Sequence, residues 1–272
     1  MKKVFTISLL VLFSVATFGQ DAKSSDMKNF RFGVTALPSF MWYKPDDLKK
    51  FENRGAAFKF GVLINAEYSF SGNFAIGFGI GLGSCGGKIN FLDDSIYYYF
   101  NDGEVIPLAE GGGPPNLSNI TGKVDTLFLK TRTYKGSYYC IPVSLKMRTN
   151  EIGYMRYFIE PRFNIGIRKK VRADDDVVNF SSSSGSSIVP NSDIDITKDM
   201  ATFKTSITIS GGGEYYLSGS TAFVFAIGYD YGLSNAVQKT SGNVLRTKDG
   251  STKALEQKFA QNGLIVSLGI LF

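Results

Sequence analysis

The sequence predicts an all-β chain, an eight-stranded antiparallel transmembrane β-barrel with up-and-down meander topology. Three observations predict it. Long runs alternate between large apolar residues and small or polar ones, and a period of two places successive side chains on opposite faces of a strand. The connections between those runs alternate long and short, as in barrels with short turns on one side of a membrane and long loops on the other. The composition holds 23 Phe and 14 Tyr against one Trp, with 30 Gly. Aromatic rims and small residues where side chains crowd inside suit a lipid-facing barrel.

The alternation is clearest from Ala57 to Gly83. Phe58, Phe60, Val62, Ile64, Ala66, Tyr68 and Phe70 take the even positions. Lys59, Gly61, Asn65, Glu67 and Ser69 sit between them, with Leu63 as the one apolar exception. After Ser71-Gly72-Asn73, the residues Phe74, Ile76, Phe78, Ile80 and Leu82 alternate with Ala75, Gly77, Gly79, Gly81 and Gly83. Two such runs around a glycine-containing turn predict a hairpin. Each run is about twice as long as an ordinary globular strand of about five or six residues. A soluble barrel turns its large apolar face inward. Here the opposite face carries Lys59 and Glu67, so the apolar face is expected to meet lipid.

The other elements follow in order. Met1–Gly19 has two lysines, an apolar core from Val4 to Val15 and small residues before Gln20, the pattern of a secretory signal peptide. Its apolar stretch is shorter than the roughly twenty residues that span a bilayer as a helix. Residues 20–272 form one barrel domain. The first strand runs from Asn29 to Phe40, with Pro38 suiting its far end, and Trp42–Arg54 is a charged connection. The hairpin supplies strands two and three. A long connection, Lys88–Asp125, contains Tyr97-Tyr98-Tyr99, which read either as a partner contact or as part of an aromatic girdle. The fourth strand, Thr126–Arg148, turns Tyr139, Ile141, Val143, Leu145 and Met147 outward. The fifth, Tyr154–Lys169, is expected to bulge or break at Pro161. Val171–Asp199 is a second long connection with a Ser-rich run. The sixth strand lies near Thr202–Tyr216 and the seventh at Thr221–Leu233. A third long loop, Ser234–Gln257, precedes the last strand, which ends at Phe272.

Alternation points Lys59, Glu67, Lys146, Arg148, Arg156, Glu160, Arg162, Arg168, Lys204, Glu214 and Asp230 into the barrel. An eight-stranded barrel is just wide enough to be filled by its own side chains. These charges therefore read as a paired network that plugs the lumen, because a lone charge in a dry interior is costly. The competing reading is a selective pore or proton path. Cys85 and Cys140 fall on inward positions of adjacent strands and allow a cross-strand disulfide in an oxidising compartment; two buried thiols are the alternative. Asp174-Asp175-Asp176 reads as a solvated charge run rather than a calcium site, since the spacing lacks an alternating ligand pattern.

Composition excludes several function classes. Histidine is absent, which removes the commonest general base and every imidazole triad. Two cysteines cannot supply a four-ligand metal site, and no cofactor motif is present. The net charge of +6 comes without a basic run interleaved with aromatics, so nucleic acid is not an expected partner. Glu160 with Glu214 is a candidate carboxylate pair for acid–base chemistry. Both sit among arginines and lysines, so a structural role is expected and no enzyme activity is assigned.

Tyr139-Cys140-Ile141-Pro142-Val143-Ser144-Leu145-Lys146 resembles the Y-x-x-I-P-h-x-h-K strand of the PorT-like outer-membrane β-barrel family of Gram-negative bacteria. Tyr229-Asp230-Tyr231-Gly232-Leu233-Ser234-Asn235 resembles that family's Y-x-Y-G-L-T/S-N segment. Where family members usually carry a glutamate before the Ile-Pro pair, this chain has Cys140. The strand ending in Phe272 resembles the terminal aromatic signal read by the barrel-assembly machinery. The resemblance implies an outer-membrane location, long loops extracellular, both mature termini periplasmic, and outer-membrane lipid and the assembly machinery as partners. The expected function is that of an integral outer-membrane protein without catalysis, acting through its loops or within a membrane assembly. A component of a type IX-like secretion machinery, with a secretion-system or surface partner, is the alternative, and a small-molecule-binding barrel is another.

Overall fold

Phe30, Phe32 and Val34 alternate with Arg31, Gly33 and Thr35 to start strand β1 (Phe30–Pro45). The computed structural model describes residues 29–179 and 187–272. The expected signal peptide Met1–Gly19 and most of the Ser-rich run lie outside these residues. The chain continues through β2 (Phe51–Gly55), β3 (Ala57–Ser69), β4 (Phe74–Phe91), β5 (Ile96–Asn101), β6 (Glu104–Val105), β7 (Asp125–Arg148) and β8 (Met155–Asn179). Then come β9 (Ile188–Asp195), β10 (Phe203–Ser218), β11 (Thr221–Gly232), β12 (Thr240–Lys248), β13 (Ser251–Glu256) and β14 (Phe259–Leu271).

Among the described residues, eight of these strands close a ring in the order β1–β3–β4–β7–β8–β10–β11–β14, every neighbour antiparallel. The seam pairs β14 with β1, Leu271 opposite Gly33 and Phe259 opposite Pro45. The ring is the predicted eight-stranded meander. Its connections at one end are short, and at the other end they are long and carry the remaining strands.

The two faces have the expected sense. Phe58, Phe78 and Phe225 are 61%, 54% and 51% exposed on the outside, whereas Glu67 and Glu214 are 3% and 0% exposed inside. On β4 the outward apolar residues run from Phe74 to Leu82. At about 3.3 Å per residue and a tilt of about 40°, that is roughly 23 Å, close to the ~25 Å apolar band of a membrane barrel. Aromatic residues border the band. Phe40 packs edge-on against Phe58 and Trp42 tilts against Tyr229 at the long-loop edge, while Phe70 stacks on Phe74 at the other. Inside, glycine permits close approach. A Cβ on Gly81 would stand 2.0 Å from the Val62 carbonyl oxygen, and one on Gly212 the same distance from that of Phe225.

Prolines sit within strands without bending their register. Pro161 produces no bulge: Ser144↔Arg162 and Met147↔Ile159 keep one register, and only the pairing with β7 lapses between them. The ladder to β10 is continuous through Ile209↔Pro161. Each residue's N–H addresses only one neighbouring strand, so a proline removes a bond from one ladder alone. Pro38 likewise does not end β1, which runs on to Pro45.

The long connections differ from the polar loops expected. The span Val171–Asn179 continues β8, paired with the start of β7, and β9 adds to it. Within the other long connections, β2 pairs with β4, β5 with β7, and β12 with both β5 and β13. The wall of the barrel therefore extends past the lipid band. At the boundary Lys169 is an extra residue in β8, where the pairing shifts from Tyr138↔Arg168 to Ser137↔Lys170. The shift changes which parity faces inward. Below it Asn164, Gly166 and Arg168 line the lumen; above it Val171, Ala173, Asp175 and Val177 are buried. Tyr43, Phe51, Ile89, Leu129, Tyr134, Ile194, Met200 and Phe259 join them in an apolar core. Beyond the membrane the chain thus packs as a soluble β-protein does, apolar inside.

Ile227 lies mid-band and faces outward, 54% exposed. Ile227→Lys is expected to destabilise the protein by about 2–4 kcal/mol in denaturant titrations from lipid vesicles. Ser251→Lys on the extramembrane hairpin is expected to change stability by less than about 0.5 kcal/mol.

Candidate functional site

The lumen is the candidate site, and two charged clusters occupy it at different heights. Near the short turns, β1, β3, β7 and β10 each project a charged residue inward at one level. Glu67 accepts hydrogen bonds from Arg31 Nη2 at 2.6 Å, from Lys146 Nζ at 2.6 Å, and from Arg148. Glu214 accepts from Arg31 Nη2 at 2.9 Å, Lys146 Nζ at 3.0 Å and Arg148 Nε at 3.2 Å. The Tyr216 hydroxyl donates to Glu214 at 3.0 Å and accepts from Arg31 Nη1 at 3.2 Å. Two carboxylates thus bridge three cations across the lumen, and each ionic group has a partner of opposite charge, as burial requires.

The other predicted inward residues do not join this cluster. Arg162 pairs with Glu160 at 3.0 Å on the same strand. Asp230 accepts from Thr208 at 2.7 Å and Asn164 at 3.2 Å. Lys204 donates to Gln261 at 2.7 Å and lies over the Tyr138 ring at 4.4 Å. Arg168 donates to the carbonyls of Thr197 and Met200 beneath the strands and apolar core that lie beyond the lipid band and cap the barrel. Arg156 stands at the short-turn rim, donating to Gly72 and Glu151. Lys59 leaves the lumen level: β3 ends beside it, and its chain passes over Gly86 towards Lys135 and Asp174.

Cavities of about 40 and 70 Å³ flank the Glu160–Arg162 pair, with Leu63 and Arg162 lining both. Each holds a few waters at most. The apolar core of the cap covers the opposite end.

The second cluster lies in the cap. Arg132 grips Asp175 through Nε at 2.8 Å and Nη2 at 2.7 Å, and reaches Asp199 at 3.3 Å. Asp199 also accepts from the Ser241 hydroxyl at 2.6 Å and the Gly242 amide at 2.9 Å. This ties β7, β8, β12 and the turn at Thr197–Asp199 together. Burial works to lower the pKa of Arg132, but the charge and hydrogen bonds of Asp175, together with Tyr134 and Asp199, outweigh it and hold the guanidinium above its ordinary value.

One expectation is corrected by the structure, and two open alternatives are narrowed. The Asp174–Asp176 run is not simply solvated: strand alternation buries Asp175 against Arg132 and leaves Asp174 and Asp176 outside, paired with Lys135 and Lys88. Among the described residues no cluster of three or more acidic or Cys side chains is placed to hold a metal ion. Cys85 and Cys140 are free thiols. Cys85 stands opposite Gly136 and Cys140 opposite Gly81, four residues or about 13 Å apart along the ladder, about twice the separation a disulfide tolerates. Tyr97–Tyr99 lie in the cap and not in the girdle, with Tyr98 buried beneath Arg132 and Tyr97 packed on Phe128.

Sequence reasoning missed Arg31, the most buried cation of the lumen. The signal was present: Arg31 stands between outward Phe30 and Phe32. It also missed Arg132, although that residue keeps the inward even parity of Lys146 and Arg148 along β7, because it lies beyond the stretch where apolar residues mark the outer face.

A ring of eight lipid-facing strands around an ionic, filled lumen defines a transmembrane β-barrel of the outer-membrane class. The chain belongs to the family described as outer membrane protein beta-barrel domain, whose model matches residues 18–238. That membership carries an outer-membrane location. Among solved structures it is similar to Neisserial surface protein A, at 10% identity and TM-score 0.42, over 91% of this chain and 98% of that one. It is also similar to Ail of Yersinia pestis, at 11% identity and TM-score 0.33, over 90% and 99%. A third is the outer membrane protease OmpT from Escherichia coli, at 8% identity and TM-score 0.41, over 93% and 99%. No curated protein matches the sequence.

Glu214→Gln removes the charge that balances Arg31, Lys146 and Arg148. It is expected to cost about 3–5 kcal/mol, read as a lower urea midpoint for unfolding from lipid. Asp174→Asn at the exposed rim is expected to cost less than about 1 kcal/mol.

Proposed function

We propose that the protein is a non-enzymatic outer-membrane barrel that presents a folded β-structured cap to the cell exterior and conducts nothing through its lumen. The observation that carries this reading is the double closure of the interior, by the Glu67–Glu214 ion cluster at one level and by the apolar cap core at another. Between them the cavities are far smaller than the roughly 300 Å³ of a small-molecule site, which disfavours a ligand-binding barrel. The carboxylates that could serve catalysis are engaged: Glu160 by Arg162, and Glu214 by three cations.

In this reading the long-loop end is extracellular and both ends of the mature chain are periplasmic, as an even strand number after a cleaved signal peptide Met1–Gly19 requires. Phe272 exchanges backbone hydrogen bonds with Phe32 at the seam. This suits a residue that the barrel-assembly machinery would engage while the ring is still open.

A second reading, a component of a type IX-like secretion machinery, rests on the PorT-like resemblance. One observation favours it: the motif tyrosines Tyr139, Tyr229 and Tyr231 are exposed on the outer wall near the cap, where another membrane protein could pack. A survey of secreted proteins after deletion separates the two, since cargo loss belongs to the second alone.

Single-channel recording in planar bilayers tests the first reading. The pure protein is expected to give no steady conductance, and a steady ion-selective current would overturn it.

A further inference from the structure

The boundary between lipid band and cap carries an imbalance of charge on β8. Lys169 is the residue inserted by the bulge, and Lys170 follows it, so two consecutive lysines are exposed where strand alternation would have turned one inward. They stand directly above Ile167, at the end of the outward apolar run. Lys169 Nζ lies 5.8 Å from the centroid of the Tyr139 ring, which holds the ammonium at the edge of the band. The cations one step further out are already matched: Lys135 by Asp174 and Arg172 by Asp193. Asp195 is close enough to feel Lys170 but makes no ion pair with it, and Lys169 has no acidic partner among the described residues. At the opposite edge of the band Arg156 is matched by Glu151 at 3.4 Å.

We propose that Lys169 and Lys170 form a headgroup site for an anionic, phosphate-bearing lipid of the leaflet that borders the long-loop end. The apolar wall below them accommodates the acyl chains, and the phosphate meets two ammonium groups at the height where headgroups lie. Lysine suits this task as a compact cation on a long apolar stem that follows the wall. Basic residues beside a membrane surface each contribute measurably to anionic-lipid binding, and the attraction is screened by salt. The inference rests on membrane insertion of the barrel and not on which side the cap faces.

The test uses the full mature chain in mixed micelles containing phosphatidylglycerol or phosphatidylcholine, with bound lipid counted by native mass spectrometry. The wild type is expected to retain phosphatidylglycerol preferentially. The K169Q/K170Q double variant should lose roughly tenfold of that preference. K248Q/K253Q, on the cap hairpin away from the band, should keep it, and added salt should erode it. Heat-modifiable migration on gels reports in each variant that the barrel has formed, so a loss of preference is separable from a loss of fold. Equal retention of the two lipids by the wild type, or an unchanged preference in K169Q/K170Q, would overturn the proposal.

Discussion

In hydrocarbon no water is available to satisfy a peptide group, so a sheet that crosses a membrane must have no edge. The rest of this structure follows from that constraint. It closes the eight strands into a ring, demands pairing across every neighbour, and leaves each strand one face for lipid and one for a narrow interior. Interrupted ladders are tolerated only where one strand bond is lost without a change of register, as at Pro38 and Pro161.

The narrow interior then sets its own requirement. Side chains must fill it, and any that are charged must be paired. Glu67 and Glu214 meet this by each accepting from the same three cations, so four strands are joined by one ionic cluster. Such a lattice tolerates the removal of a neutral neighbour better than the removal of one charge, because a single loss leaves several groups uncompensated. Above the lipid the requirement reverses. Water returns on the outside, and the same strands bury Tyr43, Val171 and Phe259. In β8 the bulge at Lys169 is the joint between the two regimes, since an odd insertion exchanges the faces of a strand, whereas β1 and β7 keep one inward parity across that level and change only in the residues they place there.

Where a strand has one lipid face and one polar face, its period is plain in the residues, and the ring, its orientation and most lumen charges were legible. Arg31 was equally legible in principle, by its place between two outward phenylalanines. The cap was not. Its strands are short, its alternation is broken by bulges, and its pairings join segments far apart in sequence, such as Arg246 with Ile96. Nothing local marks Asp175 as buried and Asp174 as exposed until the register at Lys169 is known. The same dependence on register decided the cysteines: two inward positions on adjacent strands were visible, but not the four-residue offset between them.

The seam between β14 and β1 joins residues as far apart as Gly33 and Leu271. Among the described residues this is the longest-range strand pairing, and it is also the one that abolishes the edges. Until the final strand arrives, every partial assembly, however native its hairpins, carries two open borders of unpaired amides and carbonyls and is unfit for a bilayer core. Closing the ring therefore waits on the meeting of β14 with β1, whichever hairpins have formed before it.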